Sequence, residues 1–249
     1  MYTPDIVSLR HFYATAFGEL TRTLIEKAIL RRWPDANCDV MVGLGYATPY
    51  LSAYLGQATP LAVVMPASQG AVYWPPEGDN LVAIAHDSEL PFTESSVNRV
   101  LLVHSMENSE QLSLMIQEIW RILTPSGRLL AVVPNRRGLW SVSPRSPFGY
   151  GRPFSIAQLR HLLTEQNFTV THTDSTLFVP PTSIKCLWRI ANKLEAVGSF
   201  ICRSLGGVIL IEAEKQIYST IRQPVVEARN YRGTFAGART AMNMEKKLP

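Results

Sequence analysis

Five short runs of apolar residues recur along the first half of the chain: CDVMVGLG, PLAVVMP, NLVAIAH, NRVLLVHS and GRLLAVVP. Each is of strand length and apolar almost throughout, with no regular alternation of polar residues. A strand with one wet face alternates; a strand covered on both faces does not. The second condition is that of a parallel sheet with helices on either side. Helix-period segments fill the intervals. Apolar residues at helical spacing from Leu9 to Ile29 predict a helix over 8–32, ending within RRWPDAN, where Pro34 and Asn37 break it. SEQLSLMIQEIWRIL carries an apolar stripe and stops at TPSG. SIAQLRHLLTEQNF opens on Ser155 with Gln158 three residues later, a capping-box spacing. Two later strand candidates, TVTHTDSTLFVPP and GGVILIEAEKQIY, flank a basic amphipathic stretch from Ile184 to Phe200. The pattern predicts an α/β fold: a doubly wound, mostly parallel seven-stranded sheet with a reversed edge strand.

A chain of 249 residues accommodates one large domain of this kind. We assign residues 1–220 to it, with the N-terminal helix at 8–32, a core over 38–135 and a substrate or lid region over 136–220. Beyond that the apolar period fades, and 221–249 reads as a basic appendage. Hydrophobic residues make up 46% and charged residues 18%, as in soluble globular proteins. The N-terminal twenty residues lack the basic-then-apolar order of a secretory leader. SFICRSLGGVILI, interrupted by Arg203, is too short for a transmembrane segment. Cys38, Cys186 and Cys202 match no zinc or redox spacing, so the expectation is a cytoplasmic protein without a metal.

The net charge of +4 is local in origin. Between Arg136 and Arg160 lie five arginines and no acid, and from Arg222 onward six basic residues face two acids, a net of +4. The remainder is therefore 4 − 5 − 4 = −5. Such a patch suits an anionic partner, or else a solvated loop and tail. Within PNRRGLWSVSPRSPFGYGRPF, arginines and aromatics interleave, which makes Arg136, Arg137, Trp140 and Tyr150 candidates for substrate binding. RNA would satisfy both residue types through phosphates and stacking; an anionic metabolite or an acidic protein surface would do as well.

VMVGLGYATPYL joins the first strand to a helix through Gly43 and Gly45, with Thr48 placed to cap and Pro49 to begin the helix. A dinucleotide fingerprint would want glycine at position 48. The G-x-G-x-[small] spacing ends instead on Ala47.

From about Asp39 to Asn135 the chain resembles the class I S-adenosylmethionine-dependent methyltransferases, in particular their type 11 branch. GLGYA matches the glycine turn, and VVMPAS matches the second strand and its end. AHDSELPFTESSVNRVLLVHSMEN resembles the stretch leading into the fourth strand, and EIWRILTPSGRLLAVVPN the helix, turn and fifth strand after it. The resemblance implies a Rossmann-like methyltransferase fold that takes S-adenosylmethionine as cofactor. It places Gly43, Gly45 and Ala47 beside the cofactor's methionine part, Met65 at its ribose, Asp87 and Ser88 at its adenine, and His104 under the sulfonium, where it is also the candidate catalytic residue. No nucleophile–base pair is evident, and methyl transfer needs none when donor and acceptor are aligned.

The departures from the family pattern are specific. Met41 and Met65 stand where the family carries acids, Asn98 replaces a third acid, and Ala47 replaces a glycine. Loss of the ribose-binding carboxylate removes about 1.5–3 kcal/mol per hydrogen bond. Two functional readings follow: a methyltransferase that recovers the lost contacts elsewhere, and a catalytically inactive relative that acts as a binding or regulatory partner.

Overall fold

The computed structural model describes residues 4–36, 39–182, 188–201 and 203–217. Seven strands form one sheet: β1 (Met41–Gly45), β2 (Leu61–Pro66), β3 (Val82–Ala85), β4 (Val97–Val103), β5 (Leu123–Pro134), β6 (Phe168–Thr176) and β7 (Val208–Lys215). Their order across the sheet is β3-β2-β1-β4-β5-β7-β6. The pairs among β1 to β5 are parallel. β7 runs antiparallel to both β5 and β6, which puts the reversal beside the β6 edge.

In β1, β2, β4 and β5 the apolar runs are continuous because alternate residues feed two cores; β3, at the sheet edge, leaves Ile84 exposed against the expectation of two covered faces. Met41, Val63, Leu101 and Leu130 join one cluster; Val42, Val64, Leu102 and Leu129 join the other. The first cluster is closed by α1 (Ile6–Ala14), α2 (Ala16–Arg32) and the short α3 (Thr48–Leu51). The second is closed by α4 (Leu112–Ile122), through Met115, Ile116, Ile119 and Ile122, and by α5 (Ile156–Glu165), through Leu159 and Leu163. The capping box at Ser155 and Gln158 forms as the spacing predicts. α6 (Ala191–Ile201) lies within the basic amphipathic stretch.

Three local expectations change. The helix predicted over 8–32 is two helices broken at Thr15, which is extended at φ −78° and ψ 153°. Its backbone N–H donates to Phe12 O at 3.0 Å, closing α1, while its Oγ1 accepts from Gly18 N at 3.0 Å, opening α2. The cap before α3 is Ala47, not Thr48, because the N–H groups of Tyr50 and Leu51 both donate to the Ala47 carbonyl. TPSG does not simply follow the helix: β5 begins at Leu123, opposite Val97, and resumes at Arg128, opposite Arg99, so the segment is looped out of the ladder. Ser126 at its tip has φ +61°.

The residues 184–187, the three cysteines and the basic appendage lie outside the described residues. Among the described residues no helix is long and apolar enough to cross a membrane.

Candidate functional site

The parallel strands β1 to β5 all end at one edge, and the strand order reverses between β1 and β4. Such a switch point is where open α/β sheets hold ligands. A cavity of about 190 Å³ lies at this edge, walled by residues 66–69 after β2, His86 and Asp87 after β3, and His104, Ser105 and residues 108–111 after β4.

The wall is built around His104. Its φ is +53°, a left-handed conformation uncommon outside glycine, though histidine is enriched there. That conformation presents the His104 carbonyl to two side-chain amides: Gln69 Nε2 donates to it at 3.1 Å and Asn108 Nδ2 at 3.2 Å. With both nitrogens committed, the amide oxygens are directed elsewhere. Gln69 Oε1 and Asn108 Oδ1 are buried acceptors with no donor among the described residues, and Glu107 Oε2 is a third. Buried acceptors left in this way mark places where a ligand or water brings a donor. Asp87 completes the wall. Its Oδ2 accepts from Ser109 Oγ at 2.6 Å, and its Oδ1 lies 3.3 Å from His86 Nδ1. Ser88 hydrogen-bonds the same His86 nitrogen at 2.7 Å and lies beside the cavity, not on its wall.

The imidazole of His104 is fully buried and held on both sides. Nδ1 faces Glu107 Oε1 at 3.2 Å, and Nε2 faces the Tyr13 hydroxyl at 2.9 Å; that hydroxyl in turn lies 2.9 Å from the Tyr50 hydroxyl. With the ring proton on Nδ1 donated to Glu107, Nε2 is the acceptor of the Tyr13 proton. Tyr13 then accepts from Tyr50. Burial raises both phenols well above their ordinary range, so both keep their protons. The Phe148 ring packs on the imidazole with centroids 4.5 Å apart, and Tyr46 packs on Tyr13 at 5.5 Å. Helix α1 is thus laid over the end of β4 and plugs it with one tyrosine.

The glycines of the turn serve close packing. Gly45 has φ +75°, and a Cβ there would lie 2.5 Å from Val103 O. A Cβ on Gly43 would meet Leu51 Cδ1 at 2.5 Å and Ala47 Cβ at 2.9 Å. Met41, Ala47 and Met65 are fully buried in the core cluster shared with α1 and α2. Of the residues that the resemblance assigns to the cofactor, Asp87 and His104 line the cavity; Gly43, Gly45, Ala47 and Met65 do not. Asn98 has a structural partner: its Oδ1 accepts from Val40 N at 2.9 Å, tying β4 to the entry of β1.

The arginine–aromatic loop is divided by the fold. Arg136 and Arg137 are exposed. Trp140 is buried, stacked on Phe17 at 5.1 Å, with Nε1 donating to Val179 O at 2.7 Å, so no face of it is open to a substrate. Tyr150 and Arg145 line a second cavity of about 300 Å³ against Ser8, His11 and Phe12 of α1. No cluster suited to a metal occurs among the described residues. Sequence reasoning missed Tyr13, Gln69, Glu107 and Asn108, and read Phe148 as one of the loop's substrate-side aromatics, whereas it packs on His104. Only Glu107, three residues after His104, carried a local signal.

The methyltransferase domain family matches residues 38–131. Among solved structures, the chain is similar to an S-adenosylmethionine-dependent methyltransferase of Thermotoga maritima, at 15% identity over 85% of this chain and 96% of that one, with a TM-score of 0.58. It is also similar to a chain of the Haloferax volcanii complex between the Trm112 methyltransferase activator and a methyltransferase, at 18% identity, 85% and 99% coverage and a TM-score of 0.57. The [4+2]-cyclase SpnF shares 14% identity over 82% and 84%, with a TM-score of 0.52. At these identities the likeness is one of fold. No curated protein matches.

Proposed function

We propose, from the match of residues 38–131 to the methyltransferase domain family, that the chain is an S-adenosylmethionine-dependent methyltransferase whose site is closed by its own N-terminal helix. The observation that carries this reading is the cavity at the switch point, walled by Asp87, His104, Gln69 and Asn108. At about 190 Å³ it is smaller than the roughly 300–1,000 Å³ of small-ligand pockets. Its size and its acceptors fit the nucleoside half of the cofactor. Asp87 would accept from the adenine amino group, and Gln69 Oε1 and Asn108 Oδ1 would accept from hydroxyls, replacing the acid that Met65 lacks. The other half would lie beneath His104, where Tyr13 now stands. Withdrawal of α1 removes Tyr13 and frees Nε2.

The bound cofactor supplies a methyl group that is already electrophilic. His104 would then take a proton from the acceptor at Nε2, with Glu107 holding the ring by Nδ1, the arrangement of a base and its orienting group. The cavity beside Arg145 and Tyr150 suits an anionic acceptor, and RNA, an anionic metabolite or an acidic protein surface shares that chemistry.

A second reading is a catalytically inactive relative that binds a partner. The buried Tyr13–His104 contact and the apolar Met41 and Met65 favour it. The similar folds of a cyclase and of a chain from an activator complex are consistent with such uses. Calorimetric titration with S-adenosylmethionine and its demethylated product separates the two. The methyltransferase reading expects binding that Tyr13→Ala strengthens and Asp87→Ala weakens at least tenfold. Absence of binding at millimolar ligand, in folded wild type and folded Tyr13→Ala alike, sinks it in favour of the second.

A further inference from the structure

Helix α6 is fixed to the fold by one face. Ala191 is buried in the first core cluster. The Glu195 carboxylate accepts from Thr176 Oγ1 at 2.8 Å and from Phe178 N at 2.6 Å. A Cβ on Gly198 would stand 2.4 Å from Phe178 Cγ, so the helix is pressed against that ring. Positions 191, 195 and 198 share one face. The other face carries Lys193, Ala196, Val197 and Phe200, all exposed, with Val197 at 55% and Phe200 at 89%. Arg189 and Ile190, just before the helix, are exposed as well. Beyond its far end the same character continues. Asn135 Nδ2 donates to Ser204 O at 2.9 Å and to Gly206 O at 2.7 Å, and a Cβ on Gly138 would stand 2.5 Å from Gly206 O. These contacts set the exposed Arg137 and Leu139 beside the exposed Leu205. Over residues 136–142 and 188–205 the one acid is Glu195, which is turned inward.

We propose that this face docks the protein on an anionic phospholipid surface, with α6 lying in the plane of the bilayer interface. The charge pattern selects that occupant. Apolar tips enter the boundary between headgroups and acyl chains, while arginine and lysine keep their charged ends among the phosphates. A second copy is disfavoured, because an isologous contact would bring cations against cations with no outward acid to pair them. RNA would use the cations and leave Val197 and Phe200 in water. The surface does not depend on S-adenosylmethionine, so it stands or falls separately from the methyltransferase reading.

The full chain is sedimented with vesicles of phosphatidylcholine, with and without phosphatidylglycerol. It should pellet with the anionic vesicles alone, and less so as salt is added. Arg189→Glu with Lys193→Glu should weaken that binding at least tenfold. Val197→Ser with Phe200→Ser should also weaken it at least tenfold while the thermal midpoint holds, since both side chains stand in water in the free protein. Three results overturn the proposal. The first is failure to pellet with anionic vesicles. The second is vesicle binding that both folded double variants leave unchanged, which would place it elsewhere in the chain. The third is binding that the serine variant leaves intact and single-stranded RNA displaces, which would make the surface a nucleic-acid site.

Discussion

Replacing Tyr13 with phenylalanine removes one oxygen and leaves the ring packing between Tyr46 and His104 intact. That oxygen is the middle of a buried chain, 2.9 Å from Tyr50 Oη and 2.9 Å from His104 Nε2. Without it, the Tyr50 hydroxyl loses its acceptor and His104 Nε2 loses its donor, both out of contact with water. A buried polar group left unpaired costs about 1–3 kcal/mol. Two such groups, offset by about 1 kcal/mol because the Tyr13 hydroxyl itself no longer has to be desolvated, give an expected loss of about 1–5 kcal/mol. Urea unfolding reads this as a lower midpoint at unchanged slope, the mark of a stability change without a change in compactness. A loss below about 0.5 kcal/mol, the scale of an ordinary surface substitution, would refute the reasoning and show that the chain from Tyr50 to Glu107 holds nothing in place.

Three further outcomes follow from the same geometry. Gly45→Ala should cost more than about 2 kcal/mol, since φ +75° alone costs a side chain roughly 1–2 kcal/mol and the new Cβ would stand 2.5 Å from Val103 O; an unchanged urea midpoint would contradict this. Met65→Asp, which restores the family's acid, should destabilise by several kcal/mol because position 65 is fully buried among apolar groups; a folded variant of wild-type midpoint would argue against the core placement. The pH limits of stability should come from two sets of groups. Burial raises the phenols of Tyr13, Tyr50 and Tyr54, the last to about 12, so their contribution is complete below the ordinary value near 10 and lost as pH rises through the folded values. The Arg121 side chain lowers Glu118, so that contribution is present above its ordinary value and lost as pH falls through the folded one. Phenolate absorbance should therefore appear together with loss of circular dichroism, and Glu118→Gln should flatten the acid limb alone.

How far the sequence was legible depends on how local the signal is. The strands of the parallel core could be read because burial on both faces leaves an unbroken apolar run, as in Val100–Val103 of β4. The Ser155 capping box could be read because its partners are three residues apart. The break at Thr15 was hidden, since threonine neither forbids nor requires helix and its two capping contacts are visible only in three dimensions. Asp87 and His104 came from an ordered series of motifs. Tyr13 lies 91 residues from the histidine that it meets, and no spacing rule links them. The loop of arginines and aromatics offered a composition without directions: Trp140 and Phe148 turned inward, and Arg136 and Arg137 outward.

The single tyrosine that α1 lays over His104 also sets a kinetic rule for any ligand that enters there. Were α1 to withdraw as proposed, such a ligand would meet a receptor of which only a fraction is open, and its apparent affinity would be its intrinsic affinity multiplied by that fraction; an opening populated to about 1% would make a tight site look about a hundredfold weaker. The observed association rate would stop rising at high ligand concentration and level off at the rate at which α1 departs. Anything that holds α1 away, whether a substitution at Tyr13 or a partner gripping the helix, would then act as an activator without touching the ligand.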